Sequence, residues 1–563
     1  MTETQSENLD AIIVGAGMSG LYMLHKIRSQ GLSVKLIEAG DGVGGVWFWN
    51  RYPGSRCDAP SIEYSYSFSE ELHNEWDWSE VMVEQSELED YLNFVADKFD
   101  LRKDIMMETT VDTAHFDDQS KLWTVTTEQG QSFVVKYCIM ATGCLTVPNV
   151  PDLKGVDSFK GEIHHTARWP KEGVDYAGKK VAVIGCGSSG VQSIPVIAET
   201  ASHLYAFQRS PVYTFPAHNA PLPKEYMEQA RKDYPEMRQT QRTSQLGLIA
   251  YSPAKNLKKA QAAAAEAAGE PVPEKKARNR PSKKILDLTP EQRKEEIKEF
   301  GYEVLTRYQD VYYKPEANDV AGELYREALE DMLDDPQKAD ALAPKNYPLG
   351  CKRPVIDTDY YLAFNRKNVD IVDLRESGIA EVTEAGLKLE DGSEYDFDVM
   401  VYATGFDAMT GALNKIDIRG TNGASLKDKW EGGPKCYLGV QSNGFPNLFI
   451  VTGPGSPSVL SNVITSIEQH VEWISDTVEY MEAQSVKTLE PTLEAEEAWV
   501  EHVQEVAQGS MMTAPSCNSW YLGTNIPGKP RLFLPYLGGV GNFRAKCDEI
   551  VANGYEGFKQ TAS

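Results

Sequence analysis

No apolar stretch of this sequence approaches the ~20 residues that cross a bilayer as a helix, so membrane insertion is not expected. Positive charge is also scarce: 56 Lys and Arg stand against 83 Asp and Glu, a net charge of −27. A surface that negative repels phosphate backbones and anionic lipid, which argues against nucleic acid and membrane surfaces as partners. Cysteine is sparse and scattered. The eight cysteines (Cys57, Cys138, Cys144, Cys186, Cys351, Cys436, Cys517 and Cys547) include no CxxC, and free thiols in a reducing cytosol are the expectation. The segment from Met1 to Asp10 is polar and acidic, the opposite of a secretory signal, so a cytoplasmic location is expected. No metal site is expected.

What is present is an ordinary globular composition, 41% hydrophobic and 25% charged, spread over 563 residues. One hydrophobic core stops growing near ~250–300 residues, so two or three domains are expected. Asp10-Ala-Ile-Ile-Val14 reads as a short buried strand that stops at Gly15-Ala-Gly-Met-Ser-Gly20. An amphipathic helix follows through Leu21, Leu24 and Ile27, and a second strand, Ser33 to Ile37, delivers Glu38. The same grammar returns at Lys180 to Ile184, Gly185-Cys-Gly-Ser188-Ser189-Gly190, a helix, and Leu204 to Gln208. Hairpin-like strands lie between (Leu122 to Thr126, Ser132 to Val135), and strand patterns resume at Val369, Asp398 and Asn447. From about 221 to 344 the pattern is helical. Within it Lys255 to Lys284 carries nine basic residues against three acidic ones; it reads as a solvated insertion or mobile loop, with a basic nucleic-acid arm as the alternative.

A glycine loop between a strand and a helix suits a dinucleotide. The first glycine makes the turn, the second lets backbone N–H groups approach pyrophosphate, and the third lets helix pack on strand. The residue after the second strand separates the ligands. Glu38 suits free ribose hydroxyls, whereas Arg209, followed by Ser210, suits a 2′-phosphate. Together they read as FAD beside NADPH. The fold class is therefore α/β, with two Rossmann-like dinucleotide-binding domains and a helical insertion. The expected boundaries are 1–150 and 396–563 for FAD, 151–220 and 341–395 for NADP, and 221–340 for the insertion. Ala141-Thr-Gly143 and Ala403-Thr-Gly405 each end an apolar strand, and both are expected to border FAD. A disulfide reductase is disfavoured, because Cys138 and Cys144 flank a turn rather than share a helix.

Between the two loops runs Phe159-Lys-Gly161-Glu-Ile-His-His165-Thr-Ala-Arg-Trp169-Pro170. It matches FxGxxxHxxxWP and resembles the fingerprint of the Baeyer–Villiger monooxygenases. The resemblance extends along the chain. Gly44 to Asp58 is similar to that family's flavin-proximal loop, Gly350-Cys-Lys-Arg-Pro354 to its catalytic-arginine segment, and Asn518-Ser-Trp520 through Lys529 to its mobile lid. Gly453 to Ser458 with Ser466 to Trp473 looks most like the phenylacetone, steroid and cyclohexanone branch.

The resemblance implies oxidation of a small-molecule ketone to an ester or lactone by O₂ and NADPH through a flavin C4a-peroxide. Arg353 would hold that anion and the tetrahedral adduct, and Asp58 would orient Arg353. It implies FAD contacts from Gly15, Gly17, Ser19, Gly20, Glu38, Val46, Trp47, Trp49, Asp58, Tyr64, Val111 and Val463. NADP contacts would come from Gly185, Gly187, Ser188, Ser189, Gly190, Arg209, Ser210, Lys352, Arg353 and Trp520. Ser458, Val459 and Leu460 would line the ketone pocket, and His165 reads as a hinge in the linker rather than an acid or base. A flavin monooxygenase acting on nitrogen or sulfur is the second reading, and a monomer or weak homo-oligomer is expected.

Overall fold

The computed structural model describes residues 6–249 and 284–562. Two sheets carry it. The first has its parallel centre in Glu7–Val14, whose last four residues are buried, flanked by Val34–Ile37 on one side and Ser132–Met140 on the other. Apolar β-branched residues on both faces suit a strand covered from both sides. Leu122–Thr127 pairs antiparallel with Ser132–Met140, as the hairpin-like pattern predicts, and Val111–Asp117 adds a further antiparallel strand beyond it. The second sheet is wholly parallel, in the order Val369–Asp373, His203–Gln208, Lys180–Ile184, Val399–Tyr402, Glu162–His165. The helices Met18–Ser29 and Ser188–Thr200 follow the first strand of each unit. The α/β reading with two dinucleotide folds holds.

The chain's return to the first sheet falls later than 396. Val399–Tyr402 hydrogen-bonds to Lys180–Ile184 and to Glu162–His165, so it belongs to the second sheet. The return is made by Asp417–Arg419 against Thr113 to His115 and by Leu448–Ile450 against Cys138 to Met140. It follows that the second Ala-Thr-Gly turn borders the second glycine loop and not the FAD fold. Ala403 N–H donates to the Ile184 carbonyl at 2.9 Å, just as Ala141 N–H does to that of Val14.

The helical insertion is not one unit. Lys224–Thr243 packs Met227, Ala230, Tyr234 and Met237 into the core of the first domain. Its buried Arg238 donates to the Ile62 carbonyl at 3.0 Å and to Ser65 Oγ at 2.6 Å. The segment from Ile285 to Leu342 buries Val304, Leu305, Tyr325 and Leu329 in the second core instead. Of Lys255 to Lys284, all but the last residue lie outside the described residues.

Candidate active site

Each glycine loop is shaped by the turn behind it. Gly15 has φ +104° and Gly185 φ +106°, and a Cβ on either would lie 2.6 Å from a carbonyl of its own Ala-Thr-Gly turn, Ala141 or Ala403. A side chain at Gly20 or Gly190 would strike the carbonyl of Gly15 or Gly185, so helix and strand meet only through glycine. Around Gly187 a Cβ would meet no protein atom within 4 Å, which leaves its backbone open to a ligand. Neither following helix has a side-chain cap at its N-terminus. Free N–H groups and the positive end of the dipole therefore face the loop, as a pyrophosphate needs. Ser19 is buried in the first loop, while Ser188 is exposed in the second.

Glu38 is buried and fixed, accepting from Ala16 N–H at 2.7 Å and Gly40 N–H at 2.8 Å. The segment leading to Val111 runs beside it, with Thr109 N–H donating to the Glu38 carbonyl at 2.9 Å. Val46, Trp47 and Trp49 form one short helix. The indole of Trp47 stands edge-on to Tyr64 with ring centres 5.8 Å apart, and its Nε1 is buried without a hydrogen-bond partner. Val463 opens the helix Val463–Gln484, capped by the side chain of Asn462. An uncapped helix, a fixed carboxylate and an orphaned indole donor fit a flavin dinucleotide here.

On the second unit, Arg209 and Ser210 are exposed at the end of their strand. Lys352 reaches the same place: burial first, and then the nearby Arg209 guanidinium, lower its pKa from the ordinary 10.5. Its ammonium sits 4.5 Å from the Tyr347 ring centre. Two cations this near each other suit a phosphate dianion.

Arg353 Nη2 lies 3.2 Å from Asp58 Oδ2, and the two side chains keep 42% and 38% of their surface open. Asp58 raises the guanidinium pKa further, against the desolvation that would lower it. Buried Tyr64 and Cys57 flank the pair, and burial raises the pKa of both. Trp520 packs against Tyr521 with ring planes tilted by 52° and centres 4.5 Å apart, and the lid it belongs to is anchored by Asn525 donating to the Phe406 carbonyl at 2.8 Å and by a Lys529–Asp407 ion pair. Of the loop expected to line the ketone pocket, Ser458 and Val459 are buried and Leu460 keeps an open face.

The fingerprint stretch serves as a seam. A Cβ on Gly161 would sit 2.2 Å from the Asp398 carbonyl, so only glycine lets Glu162–His165 join the sheet edge. Phe159 packs on Phe397 at 5.4 Å, and Trp169 is buried against His164, just before Pro170. His165 Nδ1 accepts from Ala167 N–H at 3.0 Å, which leaves its proton on Nε2, facing the Asn149 carbonyl at 3.4 Å. Burial lowers its pKa. Both ring nitrogens of His165 thus face backbone groups.

A family model described as flavin-binding monooxygenase-like matches residues 10–215. A Baeyer–Villiger monooxygenase from Pseudooceanicola batsensis is 38% identical over 98% of this chain and 96% of its own. This chain belongs to the Baeyer–Villiger monooxygenases. The solved structure of an oxidised steroid monooxygenase bound to NADP is 43% identical, covers 99% of this chain and 100% of its own, and superposes with a TM-score of 0.87. A phenazine N-monooxygenase from Lysobacter antibioticus is also similar, 36% identical over 99% of this chain and 98% of its own. As a member of the family the enzyme takes FAD and NADPH. No helix among the described residues is long and apolar enough to cross a membrane.

Three features of this Baeyer–Villiger monooxygenase escape a reading of the sequence. Arg168 lies 4.4 Å over the Trp49 ring and donates to the Thr146 carbonyl at 2.9 Å, tying the fingerprint to the flavin-proximal loop. Its place within HxxxW was the available signal. Tyr521 is buried near Arg353 and Asp58, its hydroxyl has no hydrogen-bond partner, and burial pushes its pKa up to about 12. Finally, Cys351 and Cys517 are joined as a disulfide. The expectation of eight free thiols is corrected: six of the cysteines are free, and only the fold could bring together two residues 166 apart in sequence.

Proposed function

We propose that Arg353 is the residue on which ketone oxidation turns, and the observation that carries this is its pairing with Asp58 beside the lid that holds Trp520. Bound FAD supplies hydride acceptance from NADPH and the activation of O₂. The residues of this chain do the rest. The first glycine loop with Glu38, Trp47 and Tyr64 holds the flavin dinucleotide, with Ser19, Val46, Trp49, Val111 and Val463 around it. The second loop, through Gly187, Ser188 and Ser189, holds NADPH, and Arg209, Ser210 and Lys352 take its 2′-phosphate.

Attack on a ketone carbonyl places negative charge on oxygen. Arg353 presents a fixed positive charge to it, beside the lid that carries Trp520. Arginine suits this task because it stays charged when desolvated, whereas lysine gives up its proton. A preorganised donor of this kind is worth ~3 kcal/mol of barrier height. Asp58 acts through Arg353 by fixing the direction of the guanidinium. The open face of Leu460 borders the ketone, with Val459 and Ser458 behind it.

The substrate is a ketone and the product an ester or lactone. A panel of linear, aryl, small-ring, large-ring and steroid ketones, read by NADPH depletion and product mass, tests this. Ketone-independent NADPH consumption with no product gaining one oxygen atom would defeat it. Similarity to a phenazine N-monooxygenase supports a second reading, oxidation of nitrogen or sulfur. Phenazine and thioether substrates run beside the ketones separate the two; sulfoxide alone decides nothing, since both classes form it. We further place the enzyme in the cytoplasm, as a monomer or weak homo-oligomer. The six free cysteines and the net charge of −27 support that placement, and size-exclusion chromatography reads the oligomeric state.

A further inference from the structure

Two segments that converge on Arg353 are joined covalently. Cys351 stands two residues before Arg353, and Cys517 stands three residues before Trp520. Their sulfurs are bonded, their Cα atoms are 5.6 Å apart, and both residues are buried. The other side of the lid is held by polar contacts: Lys529 to Asp407, Lys529 Nζ to Thr410 Oγ1 at 2.8 Å, and Asn525 to the Phe406 carbonyl. Arg531 completes the clamp by donating to the Cys517 carbonyl at 2.6 Å. The bond therefore closes the one end of the lid that reaches the arginine segment.

We propose that Cys351 and Cys517 are positioning residues for the reaction: their disulfide fixes the distance between Arg353 and Trp520, and its reduction loosens the lid. The inference rests on the role given to Arg353 above. A covalent link keeps its two partners at a high effective concentration, so lid and arginine meet in one arrangement rather than many. Formation is a two-electron exchange. Two thiols and one molecule of oxidised glutathione give one protein disulfide and two molecules of reduced glutathione, the thiol protons passing to the leaving sulfurs. Dithiothreitol runs the exchange backwards by the same attack of thiolate on disulfide. Because both cysteines are buried, exchange proceeds only while the lid is lifted. In a thiol-rich compartment the fraction of tethered enzyme then follows the thiol poise, and with it the share of reducing equivalents that reaches the ketone.

The holoenzyme, incubated with oxidised glutathione or with dithiothreitol, tests this in three measurements. Alkylation after denaturation, read by mass, should count six thiols in the first sample and eight in the second, with a Cys351–Cys517 cross-linked peptide in the first. Trypsin cleavage after Arg531 should be about tenfold faster in the reduced enzyme, where the segment opens locally more often. The share of NADPH lost as hydrogen peroxide should rise about threefold or more on reduction, while the rate of flavin reduction stays the same. Cys517→Ser should behave as the reduced enzyme and no longer respond to dithiothreitol; if that variant does not fold, the two states of the unaltered chain still decide. Absence of the cross-link after oxidised glutathione would overturn the proposal, as would a cross-link that leaves both cleavage and peroxide release unchanged. If no ketone is oxidised in either state, the role given to Arg353 falls, while the thiol count and lid cleavage still report on the tether.

Discussion

Arg353 and Asp58 meet at 3.2 Å across two segments that lie far apart in the chain. The pair is half-open, so its Coulomb attraction adds little to stability. Its value is directional, because a carboxylate fixes where a planar guanidinium points.

Arg353→Ala should therefore leave cofactor reduction intact and remove product formation. With NADPH under anaerobic conditions the bound flavin bleaches at the rate of the unaltered enzyme, but in air ester formation falls about 10²–10³-fold. Ester appearing at the ordinary rate in rapid mixing would take the role away from Arg353.

Asp58→Asn keeps the positive charge and loses the anchor. We expect kcat to fall about tenfold to a hundredfold, the scale of a misdirected catalytic group, with the KM for NADPH almost unchanged. Steady-state kinetics that show the reverse split would mark Asp58 as a cofactor ligand instead.

Arg209→Ala should weaken NADPH by about tenfold to a hundredfold, the range for a lost hydrogen bond to a charged group, and leave NADH nearly as before. Equal losses with both nucleotides, read by titration, would contradict the assignment of the 2′-phosphate.

Lys352 adds a pH dependence. Burial and Arg209 lower its pKa below the ordinary 10.5, so in the free enzyme it loses its charge at a lower pH than an exposed lysine. A bound phosphate favours the charged form. NADPH affinity should therefore fall as pH rises through the lowered value, and binding in that range should take up protons. Calorimetry in buffers of different ionisation enthalpy reads the uptake. Lys352→Arg, which stays charged, should abolish it.

His470 should govern part of the acid stability. It is fully buried, accepts from Thr452 N–H at 2.9 Å through Nδ1, and burial holds its pKa down to about 3 against an ordinary 6.5. The unfolded chain takes up a proton below 6.5 that the folded chain refuses. Its stabilising contribution is thus intact above 6.5 and is lost progressively as pH falls toward about 3. Between pH 7 and pH 5 the loss from this residue is about 2 kcal/mol. Urea unfolding of the unaltered chain and of His470→Gln checks it: the variant should be less stable at pH 7 and show the shallower decline, and parallel declines would exclude His470.

Local patterns were legible wherever one neighbour's chemistry decided the conformation. Ala11 to Val14 is buried, and Gly15 and Gly20 after it stand where a Cβ would strike a carbonyl, so strand, turn and helix followed from residue type. The Ala-Thr-Gly at 403–405 was misplaced for the same reason. Its pattern is that of 141–143, and nothing in a strand's own residues says which sheet will accept its hydrogen bonds. The helix Lys224–Thr243 was recognisable as a helix, but not as a wedge bound to Ile62 and Ser65.

By itself the amino-acid order determined two nucleotide loops, their preference for a carboxylate or a cation, and the fingerprint between them. Each depends on residues within one strand–turn–helix unit, where backbone geometry and side-chain charge act over a few ångströms of contiguous chain. That Asp58 meets Arg353, and that Arg209 and Lys352 lie near each other, was implied by resemblance and is made by the tertiary structure, which alone decided that Cys351 joins Cys517. Those are contacts between remote segments. Their free energy arises from how two sheets and a divided helical insertion pack together, and no local pattern encodes it.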